Sequence, residues 1–192
     1  MADRLSTPRR ILVVDDDQAT LAVTVAIVRA QGYDVESASD GIEGLAKLQL
    51  GIDLVLCDLV MPGLDGFEVC RRIRRDPIAG DVPIIMVTSM AGREDRLRAV
   101  DAGASDFISK PIDEAEFRVR AASLLKLKAA QDALKGYQLH LEDLIRQRTA
   151  SLRLALEQMA EAQRLAYLAQ LDTVERLAIE IGRASCRERV CT

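Results

Sequence analysis

Short apolar runs alternate with amphipathic stretches along residues 10 to 120. "RILVVD" reads as a buried strand ending at Asp15. Asp17 can cap the helix that follows, whose apolar stripe includes Leu21, Val25 and Val28, and Gly32 stops it. "YDVESA" is a weaker strand, after which Asp40 opens a short helix ending near Gly51. "DLVLCD" is the third strand and Gly66 to Arg74 the third helix; "VPIIMVT" and a helix from about Arg93 to Ala102 follow, closed by Gly103. "SDFISK" is the fifth strand, and another helix starts after Pro111. Five strand–helix repeats with wholly apolar strands predict a parallel sheet covered by helices on both faces. The expected class is α/β, a flavodoxin-like doubly wound sheet in the order 2-1-3-4-5, in which strands one and three meet at the switch point.

The pattern changes after residue 112. No proline occurs from there to residue 179, and Gly136 is the only glycine. Leu127, Ala130, Leu134, Tyr137, Leu141 and Leu144 recur at three-and-four spacing; the phase then slips near Arg148 and continues through Leu152, Ala155, Met159, Ala162 and Ala166. A helix of this extent runs for about 100 Å and cannot bury its own stripe. A coiled coil with a second copy, carrying a stutter near Arg148, is the expected arrangement. The domains predicted are a flexible N-terminus over 1–8, a globular domain over 9–122, a helical linker over 123–179, and a tail over 180–192. The tail, "EIGRASCRERVCT", loses the apolar period and resembles translated read-through into a sequencing adapter, which marks it as non-native.

Composition narrows the classes. The 192 residues carry a net charge of −4, and no basic patch interleaved with aromatics points to nucleic acid. No apolar run reaches the roughly 18 residues a membrane helix needs, so a cytoplasmic chain with neither nucleic-acid nor membrane partners is expected. Four cysteines lack metal-ligand spacing, and His140 has no partner nearby for catalysis.

The chemistry gathers at the predicted strand ends. Strand one closes on Asp15, Asp16 and Asp17, strand three on Asp58, strand four on Thr88 and strand five on Lys110-Pro111. Ligands bind outside these ends in such sheets, and neighbouring strands lie about 4.8 Å apart. Clustered carboxylates repel unless a cation joins them, so Asp15, Asp16 and Asp58 predict a hard divalent ion, with Mg2+ the best fit. Carboxylates with a metal on one side and a lysine on the other suit phosphoryl transfer, Asp58 being the nucleophile.

"ILVVDDD", "LVLCDLVMPGLDG", "PIIMVTS" and "AGASDFISKPI" resemble the signature blocks of the response-regulator receiver domain of two-component signalling, over residues 9 to 122. The resemblance implies Asp58 as phosphoacceptor, Asp15 and Asp16 as magnesium-site residues, Thr88 as the phosphoryl-sensing hydroxyl, Lys110 as the phosphoryl-binding lysine and Phe107 as the switch aromatic. It also implies a cis peptide before Pro111, and a sensor histidine kinase or phosphotransfer protein as partner. The helix "YQLHLEDLIRQRTASLRLALEQMAEAQ" resembles linkers to bacterial signalling enzymes, and "LAQLDTVERLAIEI" the first segment of HD-GYP cyclic-di-GMP phosphodiesterases. No HD pair or GYP triplet is present, so no phosphodiesterase site can be assigned. The competing expectations are a diguanylate cyclase or hybrid-kinase receiver, and a stand-alone adaptor acting through its coiled coil.

Overall fold

The computed structural model describes residues 8–89 and 93–190, with side chains throughout except at 93–96, 172 and 180–190. The predicted flexible segment 1–8 lies outside the described residues except for Pro8. The elements run β1 (Arg10–Val14), α1 (Gln18–Ala30), β2 (Asp34–Ala38), α2 (Gly41–Lys47), a 3-10 turn (Leu48–Leu50), β3 (Leu54–Asp58), α3 (Gly66–Arg75), β4 (Ile84–Thr88), α4 (Arg93–Asp101), β5 (Asp106–Ser109) and α5 (Glu114–Val190). The five strands form one sheet in the order β2-β1-β3-β4-β5, every pair parallel. This is the flavodoxin-like order expected from the repeats.

Strand alternation divides the core between the two faces. Ile11, Val13, Leu54, Leu56, Ile85, Val87 and Ile108 pack with Leu21 and Val28 of α1 and Phe117, Ala121 and Leu125 of α5. Leu12, Val14, Val55, Cys57, Ile84 and Met86 face the opposite way, toward Phe67, Val69, Cys70 and Ile73 of α3 and Ala99 of α4. With helices on both faces, the whole of β3 and β4 is buried, which is why those strands read as unbroken apolar runs.

Aspartates start the helices. Asp17, Asp40 and Asp65 each accept a hydrogen bond from the backbone N–H three residues on, in α1, α2 and α3. Asp113 does the same for Glu116 at 2.8 Å as α5 begins. Each satisfies a donor that the helix cannot, worth about 1 kcal/mol.

Two compact units are present, residues 1–134 and 135–192. In the second unit, every described side chain from Tyr137 to Ile179 is exposed. The helix does not stop where the apolar period does; its backbone continues through the tail to Val190. Periodicity reports burial rather than helicity, and the Ala, Arg and Glu residues there are adequate helix formers. The structure thus lends no support to a break at residue 180. No helix among the described residues is long and apolar enough to cross a membrane.

The start of α2 makes stability depend on pH. Hydrogen bonds from Lys47, then from the backbone and hydroxyl of Ser39, hold the Glu43 carboxyl down at about 2. The folded pKa lies below the unfolded one, so this contribution is complete above about pH 4.5 and is lost as pH falls through about 2. Because Glu43 is two-fifths exposed, solvent screening limits the effect to about 1 kcal/mol. Replacing Glu43→Gln should lower stability by about that amount near neutral pH. The gap to the parent, followed by urea unfolding, should close toward pH 2; a gap constant across the range would contradict this account.

Candidate phosphoryl site

The carboxyl ends of β1, β3, β4 and β5 come together as the switch-point rule requires. Asp15 follows β1, its backbone N–H bonded to the Ala38 carbonyl at the end of β2. Asp58 is the last residue of β3, paired in register with Val87, one residue before Thr88. β5 ends at Ser109, and the Lys110 N–H donates to the Thr88 carbonyl at 2.8 Å, which fixes where the lysine leaves the sheet. The Lys110–Pro111 peptide is cis, as expected.

One carboxylate oxygen from each of Asp15, Asp16 and Asp58 lies within 4.8 Å of the other two. Asp15 and Asp58 are buried, 3% and 7% exposed, while Asp16 faces solvent. The Lys110 ammonium sits between the buried pair, 2.8 Å from Asp15 Oδ2 and 2.9 Å from Asp58 Oδ2. The remaining oxygens take backbone donors: Asp17 N–H to Asp15 Oδ1 at 3.0 Å, and Leu59 N–H to Asp58 Oδ1 at 2.8 Å. Burial pushes the Asp58 carboxyl above its ordinary range, while Lys110 pulls against that shift. For Lys110, burial opposes the charge, but its bonds to Asp15 and Asp58 outweigh this and raise its pKa. Three carboxylates against one ammonium leave two negative charges when ionised, and a divalent cation with oxygen ligands balances them. The exposed Asp16 and the rim of the crevice leave such an ion access from solvent.

Cys57, next to the central carboxylate, points into the opposite core and is wholly buried, its thiol donating to the Asp58 carbonyl at 3.3 Å. Burial raises its pKa.

Four of the residues singled out in the sequence come together in this geometry. Asp15, Asp16, Asp58 and Lys110 converge, and Thr88 is buried at the end of the neighbouring strand. Phe107 lies in β5, half-buried and packed against the α3 and α4 side of the core. Its neighbour was not legible in the sequence. Arg120 of α5 holds its guanidinium 5.8 Å from the Phe107 ring centre, anchored by Asp106 at 2.7 and 2.8 Å and by Glu116 at 2.7 Å. Arg74 was also missed. It donates to the carbonyls of Gly103, Gly80 and Val82 at 2.7, 2.9 and 2.6 Å, tying α3 to the loops before β4 and β5. Charge runs at helix ends usually mark solvated faces, so nothing local distinguished Arg74 from Arg71 and Arg72.

The turn after Asp58 depends on two glycines. Gly63 adopts φ +81°, and Gly66 sits against the Asp58 carbonyl and the Leu59 Cα, where a methyl group has no room. Its N–H closes the turn on the Leu59 carbonyl at 3.0 Å.

This arrangement of fold and carboxylates matches a known family. The response regulator receiver domain family matches residues 11–122, more than half of the chain, and the chain belongs to it. Residues along the chain are 41% identical over 127 positions to the response regulator PleD of Caulobacter vibrioides, covering 66% of this chain and 28% of that protein. They are 42% identical over 118 positions to the DNA-binding dual master transcriptional regulator RpaA of Synechocystis, covering 61% and 49%. The chain thus spans about a quarter to a half of these relatives. Among solved structures, a response regulator from Chloroflexus aurantiacus aligns with TM-score 0.60 at 31% identity, over 62% of this chain and 99% of that one. The receiver domain of a Pseudomonas aeruginosa sensor histidine kinase aligns with TM-score 0.59 at 31% identity, over the same shares, and holds a magnesium ion in its active-site cleft.

Gly66→Ala should cost about 2 kcal/mol or more, because the added methyl must displace the backbone of Asp58 itself. Urea unfolding measures this; a cost below about 0.5 kcal/mol would show that the turn yields freely.

Proposed function

We propose that this chain accepts a phosphoryl group on Asp58 from a sensor histidine kinase or phosphotransfer protein. The observation that carries the reading is the shared position of the Lys110 ammonium, within 2.9 Å of both buried carboxylates beside the exposed Asp16. Asp15, Asp16 and Asp58 would hold Mg2+, which supplies neutralisation of phosphoryl-oxygen charge.

A carboxylate oxygen of Asp58 attacks phosphorus, the bond to the donor's nitrogen breaks, and an acyl phosphate forms. Lys110 offsets negative charge on the incoming group, and its place is set by the bond from its own N–H to the Thr88 carbonyl. The Thr88 hydroxyl takes a phosphoryl oxygen as hydrogen-bond acceptor, and Phe107 repacks in β5 as the population shifts between two states. The motion reaches α5 through residues that already pack together, since Phe117 of α5 shares a core with Ile108 of β5.

The output of this cytoplasmic phosphoprotein lies past the long helix. The resemblance of residues 168–181 to the opening of HD-GYP phosphodiesterases supports a cyclic-di-GMP phosphodiesterase output. The genomic sequence after residue 179 decides this: an HD pair supports it, and a GGDEF-like loop or a stop codon replaces it with a cyclase or an adaptor.

Asp58→Asn should abolish labelling by a small-molecule phosphodonor in magnesium while the fold is retained. Thr88→Ala should still be labelled but should fail to convert to the second state, read as unchanged amide shifts in α4 and α5. Undiminished labelling of Asp58→Asn would overturn the assignment of the phosphoacceptor.

A further inference from the structure

The second unit presents a face whose chemistry is more ordered than its exposure suggests. On a wheel of about 100° per residue, Tyr137, Leu141, Leu144, Leu152, Met159 and Ala166 fall within a sector about 80° wide. Exposure of the large ones runs from 43% for Leu144 to 69% for Tyr137. Charges occupy the other side. Between Lys135 and Ala166, all but one of the charged residues, among them Glu142, Arg146, Arg153 and Glu161, lie in an opposing sector of about 100°. The exception is Arg148, which falls at the middle of the apolar face. The boundaries between the two sectors carry no charge; Gln138, Gln147, Gln158 and Gln163 lie there together with Ile145, Leu154, Leu156 and Leu165.

We propose that residues 137–166 pair with the same face of a second copy of this chain, and that Arg148 is a charged layer within the seam that holds the pairing weak. Charge distribution argues for a second copy as the occupant. Where coiled-coil partners differ, charges beside the seam commonly select between them. Here both flanks are neutral, so nothing beside the seam repels a second copy or selects an oppositely charged partner, and Arg148 is the one charge the two faces bring together. The length also fits: about 30 residues give about 45 Å of seam. Arg148 lies where the apolar phase slips by a four-residue insertion, so its guanidinium faces the partner in the segment where packing is already least regular. Desolvating it without an acidic partner costs affinity. Thr149 and Ser151 flank it, and their hydroxyls are committed to the backbone carbonyls of Ile145 and Gln147, at 2.8 and 3.0 Å. Neither supplies a compensating negative charge. The inference rests on the phosphoryl-receiver reading only for its signalling consequence, since pairing is measured without a phosphodonor.

Sedimentation velocity on the full chain, over roughly 1–100 µM, the range where weak helical pairing shows, tests this. The parent should pass from monomer to dimer with concentration. Arg148→Leu should tighten the dimer about tenfold or more. Leu144→Glu should leave monomer with its helical circular dichroism retained, while Leu139→Glu, equally apolar but on the charged side, should behave as the parent. A parent that stays monomeric, an Arg148→Leu variant that pairs no better, or a Leu139→Glu variant as disruptive as Leu144→Glu would each overturn the proposal. In any of those cases labelling of Asp58 remains a separate measurement. Tightening by Arg148→Leu cannot arise from damage to the helix, so one supporting result does not depend on a loss of function.

Discussion

The ammonium of Lys110, shared between Asp15 and Asp58, is the constraint around which the active end of the molecule is organised. Two carboxylates buried side by side at strand ends repel, and in a low-dielectric setting that repulsion would favour protonating one of them. The lysine offsets that repulsion from a third strand end. Its reach depends on β5 lying beside β4 in parallel register, with Thr88 opposite Ser109. The sheet order is therefore an electrostatic requirement as much as a packing solution. A permuted order would leave Asp58 buried beside Asp15 without its counter-charge.

The same pairing supports the proposal that the site responds to an occupant. Lys110 is bound to carboxylates on two different strands, so a group that draws it toward one changes what it offers the other. Ile108 ties the strand carrying the lysine to Phe117 and Ala121 of α5 through a fully buried contact layer. Interiors of this density do not absorb a displacement locally; they pass it to the next packed element. Arg120, locked to Asp106 and lying over Phe107, adds a polar restraint between β5 and α5.

Much of this was legible in the sequence because it is written in local signals. The apolar runs of β1, β3 and β4, the capping aspartates at positions 17 and 40, and the polar residue ending each strand are all read within a few positions. The switch-point rule then converts strand order into proximity, which is how Asp15, Asp58 and Lys110 could be brought together across 95 residues of chain. Other features depend on surroundings that no local window contains. Arg74 is distinguished from Arg71 only by what its guanidinium meets, three carbonyls on two loops. Gly66 reads as an ordinary helix start, yet its lack of a side chain is set by the backbone of Asp58. That the backbone stays helical through residues 180–190 was not legible for a different reason: loss of an apolar stripe marks loss of a partner face, and a helix can continue without one.

Cys57 carries a consequence for chemoselectivity. A thiolate is intrinsically a far better nucleophile than a carboxylate, and this one sits a single residue from the proposed phosphoacceptor. Alternation along β3 turns it into the apolar layer, where burial keeps the sulfur protonated and closed to solvent. The strand end therefore offers an electrophile the oxygen of Asp58 and withholds the sulfur. Cys70 is buried in that same layer. Thiol-directed labels can thus be attached at engineered surface cysteines without competing for the carboxylate end of this strand, so optical reporters of the long helix are compatible with an intact site.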